Sequence, residues 1–197
     1  MDYEEALRCS NEIVSLLFHY CMRIESTGPL RRKEIYIDSV ELIASPQIVD
    51  STSYWNEDSD DLEKVGPNRL EAGIERLVNE GVLGRVSSNP GKTPPVVDIL
   101  SPRYDLQYRQ TKVIVYSVFQ PSDWGVQFLL HTGDNDFVDL VIRRATQRGF
   151  TLSHGHLEKL GKTISAPEEA DVFRVLDLEW VDPENRSLGH TGRTGGV

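Results

Sequence analysis

Residues 112–119, Lys-Val-Ile-Val-Tyr-Ser-Val-Phe, are apolar along most of their length and carry no acidic residue. Such a run reads as a core strand of a sheet. A second strand is expected over Ile35–Ala44, which is rich in β-branched residues. Residues 2–24 read as a helix: Asp2 and Glu5 have capping-box spacing, and Ala6, Ile13, Leu17, Tyr20 and Ile24 share one face. Asn68 is spaced to cap another helix, with Leu70, Ile74 and Leu77 inward and Gly81 as its stop. With 197 residues, 39% of them hydrophobic, the chain is long enough for one core or two small packed subdomains.

Further strands are expected over Val82–Val86, Val96–Leu100 and Tyr104–Tyr108, with a Gly- and Pro-containing loop over Ser87–Pro95. Asn56–Glu63 (NEDSDDLE) reads as a solvated acidic loop. Pro121-Ser122-Asp123 marks a boundary. Beyond it lie an apolar strand over Val126–Leu130, a Thr132-Gly133-Asp134 turn and a helix ending at Gly149. Pro167 suits the first turn of a short helix carrying Ala170, Phe173 and Leu176. The tail from Ser187 has four glycines and is expected to be disordered.

No apolar run approaches the roughly 20 residues of a membrane span. The acidic start, Met-Asp-Tyr-Glu-Glu, is unlike a secretory or mitochondrial leader. The expectation is a cytoplasmic protein without a membrane partner. Cys9 and Cys21, placed on one helix, would stand about 18 Å apart, too far for a disulfide. The net charge of −10 argues against a dedicated nucleic-acid binder unless cations cluster locally.

Three stretches, in order, resemble family X (polymerase β-like) nucleotidyltransferases. The first is Arg23-Ile24-Glu25-Ser26-Thr27-Gly28-Pro29-Leu30-Arg31-Arg32, similar to the family's phosphate-cradling Gly-Ser-x-Arg-Arg turn. The second is Trp124-Gly125-Val126-Gln127-Phe128-Leu129-Leu130-His131-Thr132-Gly133, similar to the link ending in the family's Thr-Gly turn. The third runs from Arg143-Arg144-Ala145 through Arg148-Gly149-Phe150, Pro167-Glu168-Glu169 and Asp171-Val172-Phe173 to Trp180-Val181-Asp182-Pro183-Glu184. The resemblance covers residues 4–186. It implies an α+β fold: a nucleotidyltransferase palm (a mixed sheet with helices on one face), then a small α/β C-terminal subdomain. The expected division is 1–121, 122–186 and a flexible tail over 187–197. The chain opens at what resembles the palm's first helix, so the family's additional N-terminal DNA-binding domain is not expected, and small relatives suggest a phage or bacterial setting.

The resemblance also implies chemistry. Family members transfer nucleotides with two Mg²⁺ held by three acids, two of them at i and i+2 on one strand. Seven residues past Arg32 stand Ser39 and then Glu41. Counting back from Trp124-Gly125 puts Val115 at the third acid position. Glu41 is then the surviving metal ligand, with Asp38 adjacent but one residue out of register. Gly28, Arg31, Arg32, Thr132 and Gly133 match nucleotide- or phosphate-binding positions, although Pro29 removes one backbone donor. Gly133 alternatively serves only as permissive backbone in a turn. Arg143, Arg144 and Arg148 match a helix near DNA, or form a plain solvated face. His131 stands where relatives carry nucleotide contacts, and His154-x-His156 has strand spacing without further Cys or His nearby in sequence.

Three functions stay open. One is a catalytically impaired homologue that binds a nucleotide, a DNA end or a protein partner. Another is an active polymerase with a rearranged Mg²⁺ site using Glu41, Asp38 and either Asp98 or Asp105. The third is an interaction protein without nucleotide chemistry. Mg²⁺ is expected if the chain is active, and no cofactor otherwise.

Overall fold

The computed structural model describes residues 1–47, 68–86, 102–153 and 155–187. The expected strand at Val96–Leu100, the loops at Asn56–Glu63 and Ser87–Pro95, the tail beyond 187, Asp98 and His154 lie outside the described residues.

Helix α1 spans Tyr3–Leu17. Its N-cap is Asp2, whose carboxylate accepts from the Glu5 amide at 2.8 Å. Ala6, Cys9, Ser10, Ile13 and Leu17 make its buried stripe. The helix stops seven residues short of the expected end. A 3₁₀ turn over Phe18–Tyr20 leads into strand β1, Cys21–Thr27. Cys9 is therefore helical and Cys21 lies on a strand, both as buried free thiols. Burial pushes the Cys21 pKa up to about 12, so it stays a thiol. Ile24 packs on the same core as α1, so helical spacing and strand alternation agree on which way it faces. The ladder with the next strand overrides local helix propensity.

After the single helical turn α2 (Gly28–Arg31) comes β2, Ser39–Pro46. It starts four residues later than expected. Helix α3 spans Arg69–Asn79. The Asn68 side chain accepts from the Leu70 amide at 2.9 Å and the Glu71 amide at 3.4 Å, while its amide donates to the Tyr104 hydroxyl at 3.1 Å. Asn68→Ala removes cap and tie together. It is expected to cost about 1–2 kcal/mol, readable in a urea melt.

Strands β3 (Gly84–Arg85), β4 (Arg103–Tyr108) and β5 (Thr111–Ser117) complete a five-stranded sheet of order β1-β2-β5-β4-β3. Among the described residues, only β2 and β5 pair in parallel. α1 and α3 cover one face, forming a core with Val40, Leu42, Leu106, Val113 and Val115.

Residues 124–132 are a helix, α4, and not the expected strand. All its residues but His131 are buried, so no polar stripe exists to reveal a 3.6-residue period. The turn at Gly133 joins α4 to α5, Asn135–Gln147, capped by Asp134. A small antiparallel sheet follows: β6 (Thr151–Ser153), β7 (His156–Lys159) and β8 (Lys162–Thr163). Helix α6 is Glu169–Leu176, with a capping box between Glu168 and Asp171. Pro167 thus stands just before this helix rather than in its first turn. α4, α5 and α6 enclose a second apolar cluster including Leu129, Phe137, Val141, Phe173 and Leu176.

Candidate functional site

Side chains alternate along strands and match faces across them. Val40, Leu42, Val113, Val115 and Leu106 face the α1–α3 core. The intervening residues face the other way. One cross-strand row on that opposite face reads Thr27, Glu41, Ile114, Asp105. The neighbouring rows bring in Ser39 with Lys112, and Ile43 with Tyr116 and Arg103.

This register corrects the expected third acid position. Val115 is fully buried on the core side, opposite Glu41. The residue of β5 beside Glu41 is Ile114. A count of one residue too many moves a side chain to the other face. Asp38 lies one residue before β2 and is exposed.

Glu41 tucks its carboxyl against Gly28, where a Cβ would come within 2.7 Å of Oε2. Gly28 also has φ +59, so both space and backbone select glycine there. Burial pushes the Glu41 pKa up, while the nearby charges of Arg32, Arg103 and Lys112 pull it down. Tyr116 is raised mainly by burial and then by the Glu41 charge. Its ring stacks on His131 at 3.7 Å. Burial lowers His131 to about 3, so this imidazole is neutral at physiological pH.

The Arg31–Arg32 pair reaches across to the second cluster's elements. Arg31 forks onto Glu169 at 2.7 and 2.6 Å and donates to Thr132 Oγ1 at 2.6 Å. Its guanidinium also lies over the Phe128 ring at 3.6 Å. Arg32 donates to the Thr132 carbonyl at 2.6 Å and to Glu34 at 2.8 Å. Thr132 is fully buried and 3.2 Å from Thr27 Oγ1. Gly133 has φ −66, which any residue can adopt. The turn needs glycine for space, because a Cβ there would meet Phe137 at 2.6 Å. The permissive-backbone reading of Gly133 is therefore replaced by a steric one.

Arg144 donates to the carbonyls of Leu176 and Asp177 at 2.9 and 2.8 Å, closing the C-terminus of α6. Arg148 lies 3.0 Å from the Asp177 carboxylate, and Arg143 is exposed on α5. The three do not form one free basic stripe.

Sequence reasoning missed the groups that shape this face. Arg103 and Lys112 sit at 2.6 and 3.6 Å from Asp105. Arg186, in what read as the end of the chain, reaches Glu169 at 2.5 Å. Glu169 was visible within Pro167-Glu168-Glu169, but nothing local distinguished it from exposed Glu168. The strand register would have flagged Arg103 and Lys112, once β2, β4 and β5 were paired.

A two-magnesium centre needs several oxygen ligands carrying net negative charge. This face instead offers Glu41, whose burial favours the protonated form, and Asp105, already paired with Arg103 and Lys112. Among the described residues, no group of three or more His, Cys, Asp or Glu is placed to hold a metal ion. The described residues do not fit the metal pair. They fit an anion better, through Arg32, Arg103 and Lys112.

Residues 127–187 match the family model described as the DNA polymerase beta thumb. Among solved structures, the chain is similar to polymerase beta of Leishmania infantum, solved as a ternary P/T complex. The TM-score is 0.66 at 19% identity, over 94% of this chain and 76% of that one. No curated protein sequence matches. The chain therefore has a polymerase-β-like fold. Among the described residues, no helix is long and apolar enough to cross a membrane.

Proposed function

We propose that this chain, a polymerase-β-like scaffold, binds the phosphates of a nucleotide or DNA end and does not transfer a nucleotidyl group. The observation that carries this reading is Glu41 on a sheet face whose neighbouring rows carry Lys112 and Arg103, with the Arg32 charge also acting on its carboxyl. Side-chain cations there take up the role of neutralising phosphate that a metal pair would otherwise have. Arginine suits it, because its planar fork meets phosphate oxygens in pairs. The working division is a palm-like domain over 1–121, a thumb-like subdomain over 122–186 and a tail over 187–197. With a net charge of −10, long-range repulsion opposes a polyanion, so affinity rests on these local cations and falls steeply with salt.

Fluorescence anisotropy at low salt, with labelled recessed-end DNA and a labelled nucleotide, tests this in EDTA and in Mg²⁺. Equal binding in both is expected. The double change Arg103→Glu and Lys112→Glu is expected to weaken it at least tenfold, about 1.4 kcal/mol. Gap filling with Mg²⁺ or Mn²⁺ that Glu41→Ala abolishes would establish the active enzyme instead. Absence of any binding to either ligand would turn the search to a protein partner.

A further inference from the structure

The chain leaves the five-stranded sheet through the 3₁₀ turn Pro121–Asp123 and enters α4. Asp123, the last residue of that turn, is only 2% exposed. A carboxylate so placed is costly unless a partner offsets its charge. The partner comes from the small sheet. His156 Nδ1 lies 2.8 Å from Asp123 Oδ2, the length of an imidazole-to-carboxylate hydrogen bond. The second oxygen, Oδ1, is buried with no partner among the described residues. Among those residues, the one charge partner of Asp123 is therefore an imidazole, which is cationic only when protonated.

Packing holds the two groups at this distance. β7 begins at His156 and packs against α4. Gly155 has φ +77, and a Cβ there would overlap the Gln127 amide on α4. The β6–β7 turn therefore comes this close to α4 only because residue 155 is glycine. The His156 side chain is 37% exposed, so its ring exchanges protons with water. The described surroundings offer few rival charges. β6 (Thr151–Ser153) carries none, and the one titratable group of α4 is His131, which burial keeps neutral. Glu158 on β7 adds a second negative charge. Lys159 of β7 and Lys162 of β8 pair across their strands and are exposed.

We propose that Asp123 and His156 form a proton-operated latch, which fastens the β6–β7 turn to the root of α4 while His156 is protonated and loosens when the proton leaves. The hydrogen bond to Asp123 is the largest cause raising the His156 pKa; burial opposes it, and the charges of Asp123 and Glu158 add to it. The unfolded chain has no such pair. The latch therefore stabilises the fold fully below the unfolded histidine value of about 6.5, and that stabilisation is lost as pH rises through the higher folded value. α4 also carries His131, whose ring stacks on Tyr116 of the Glu41 face. The latch thus sets how firmly the small sheet is held to the helix that borders that face.

Two readouts on the full chain test it. The His156 imidazole is followed by NMR from about pH 5 to pH 9, its signal identified by its loss in His156→Gln. Its midpoint is expected above about 6.5, and is expected to fall by about one pH unit, a tenfold loss of proton affinity, in Asp123→Asn. Hydrogen exchange of the β6–β7–β8 sheet, with labelling times scaled for the intrinsic rate, reads the latch itself. Local opening is expected to rise about threefold or more between about pH 6 and pH 8, and to stay flat over that range in His156→Gln. Helix α1, in the other core cluster, is the internal reference. A parent midpoint at or below about 6.5 overturns the proposal. So does an unchanged midpoint in folded Asp123→Asn, or an equal pH dependence of exchange in His156→Gln. If Asp123→Asn does not fold, the His156→Gln comparison decides alone. Neither readout contains nucleotide or DNA, so the outcome is independent of the anion-binding reading.

Discussion

Glu169→Gln is expected to lower the stability of the chain by about 3–5 kcal/mol, the largest loss from any single charge removed here. Glu169 is 5% exposed and sits between two guanidinium groups. Arg31 approaches from the α2 turn, and Arg186 from beyond α6, itself 0% exposed. Arg186 is further enclosed by Phe137, Phe173 and Trp180, with centroids 5.0–5.8 Å from its guanidinium carbon. Burial lowers the Arg186 pKa, and the Glu169 carboxylate holds it up. Removing the one carboxylate leaves the partly exposed Arg31 and the fully buried Arg186 facing each other with no compensating charge, and Arg186 cannot reach water without opening the fold. Glutamine keeps the shape but not the charge, so the loss reads as electrostatics rather than a cavity. The adjacent pair provides the contrast. Glu168 meets Arg23 at 2.8 Å, but its side chain is 60% exposed. Glu168→Gln keeps an acceptor for the capping box and is expected to cost less than about 1 kcal/mol. Urea denaturation of both variants decides it. A Glu169→Gln loss no larger than that of Glu168→Gln would mean the carboxylate does not bridge the two arginines.

The same geometry bears on function. Arg31 is already spent on Glu169, Thr132 and the Phe128 face. An incoming phosphate would have to break a buried network to engage it. Arg31 therefore acts as a structural tie between the α2 turn and α6, while Arg103 and Lys112 lie in the rows next to Glu41 on its sheet face. Arg32 is likewise tied, to the Thr132 carbonyl and Glu34, with its side chain 9% exposed, so a bound anion would rest chiefly on Arg103 and Lys112.

How far the sequence could be read follows from which signals are local. Asn68, its apolar stripe and Gly81 defined α3 because cap, period and stop all lie within fourteen residues. The apolar runs of β2 and β5 were legible for the same reason. The end of α1 was not. Ile24 points to the core whether the chain is helix or strand, and the choice is made by pairing with β2. α4 was misread because burial on every side erases the period that would identify it. The resemblance located the Arg31–Arg32 turn and the Thr132–Gly133 turn, which the fold does bring together. It could not supply Arg186, Arg103 or Lys112, whose roles arise from contacts distant in sequence. Nor could it fix a register by counting across segments of unknown length.

That register carries the second large expectation. Val115→Asp is expected to destabilise the chain by about 4 kcal/mol, rather than restore a metal ligand. Val115 is fully buried among Leu42, Leu106 and Val113 on the face covered by α1 and α3. Losing the isopropyl group forfeits about 1.5 kcal/mol of apolar burial. Placing a carboxyl there without a partner adds about 1–3 kcal/mol even in its protonated form, which burial would enforce. Ile114→Asp, one residue earlier, is expected to cost less than half as much. Ile114 is also buried, but it faces the side that carries Glu41, Arg103 and Lys112, where a new carboxylate meets cations. The pair of variants thus reads out the strand's facing directly, since the side chains introduced are identical and the positions adjacent. Denaturation midpoints for the two distinguish the outcomes. If Val115→Asp were the milder change, the face assigned to the anion site would be the wrong one. The expected order would instead place the residues beside Glu41 at 114 and 116. Ile114 then stands between Glu41 on one side and Asp105 on the other across the sheet.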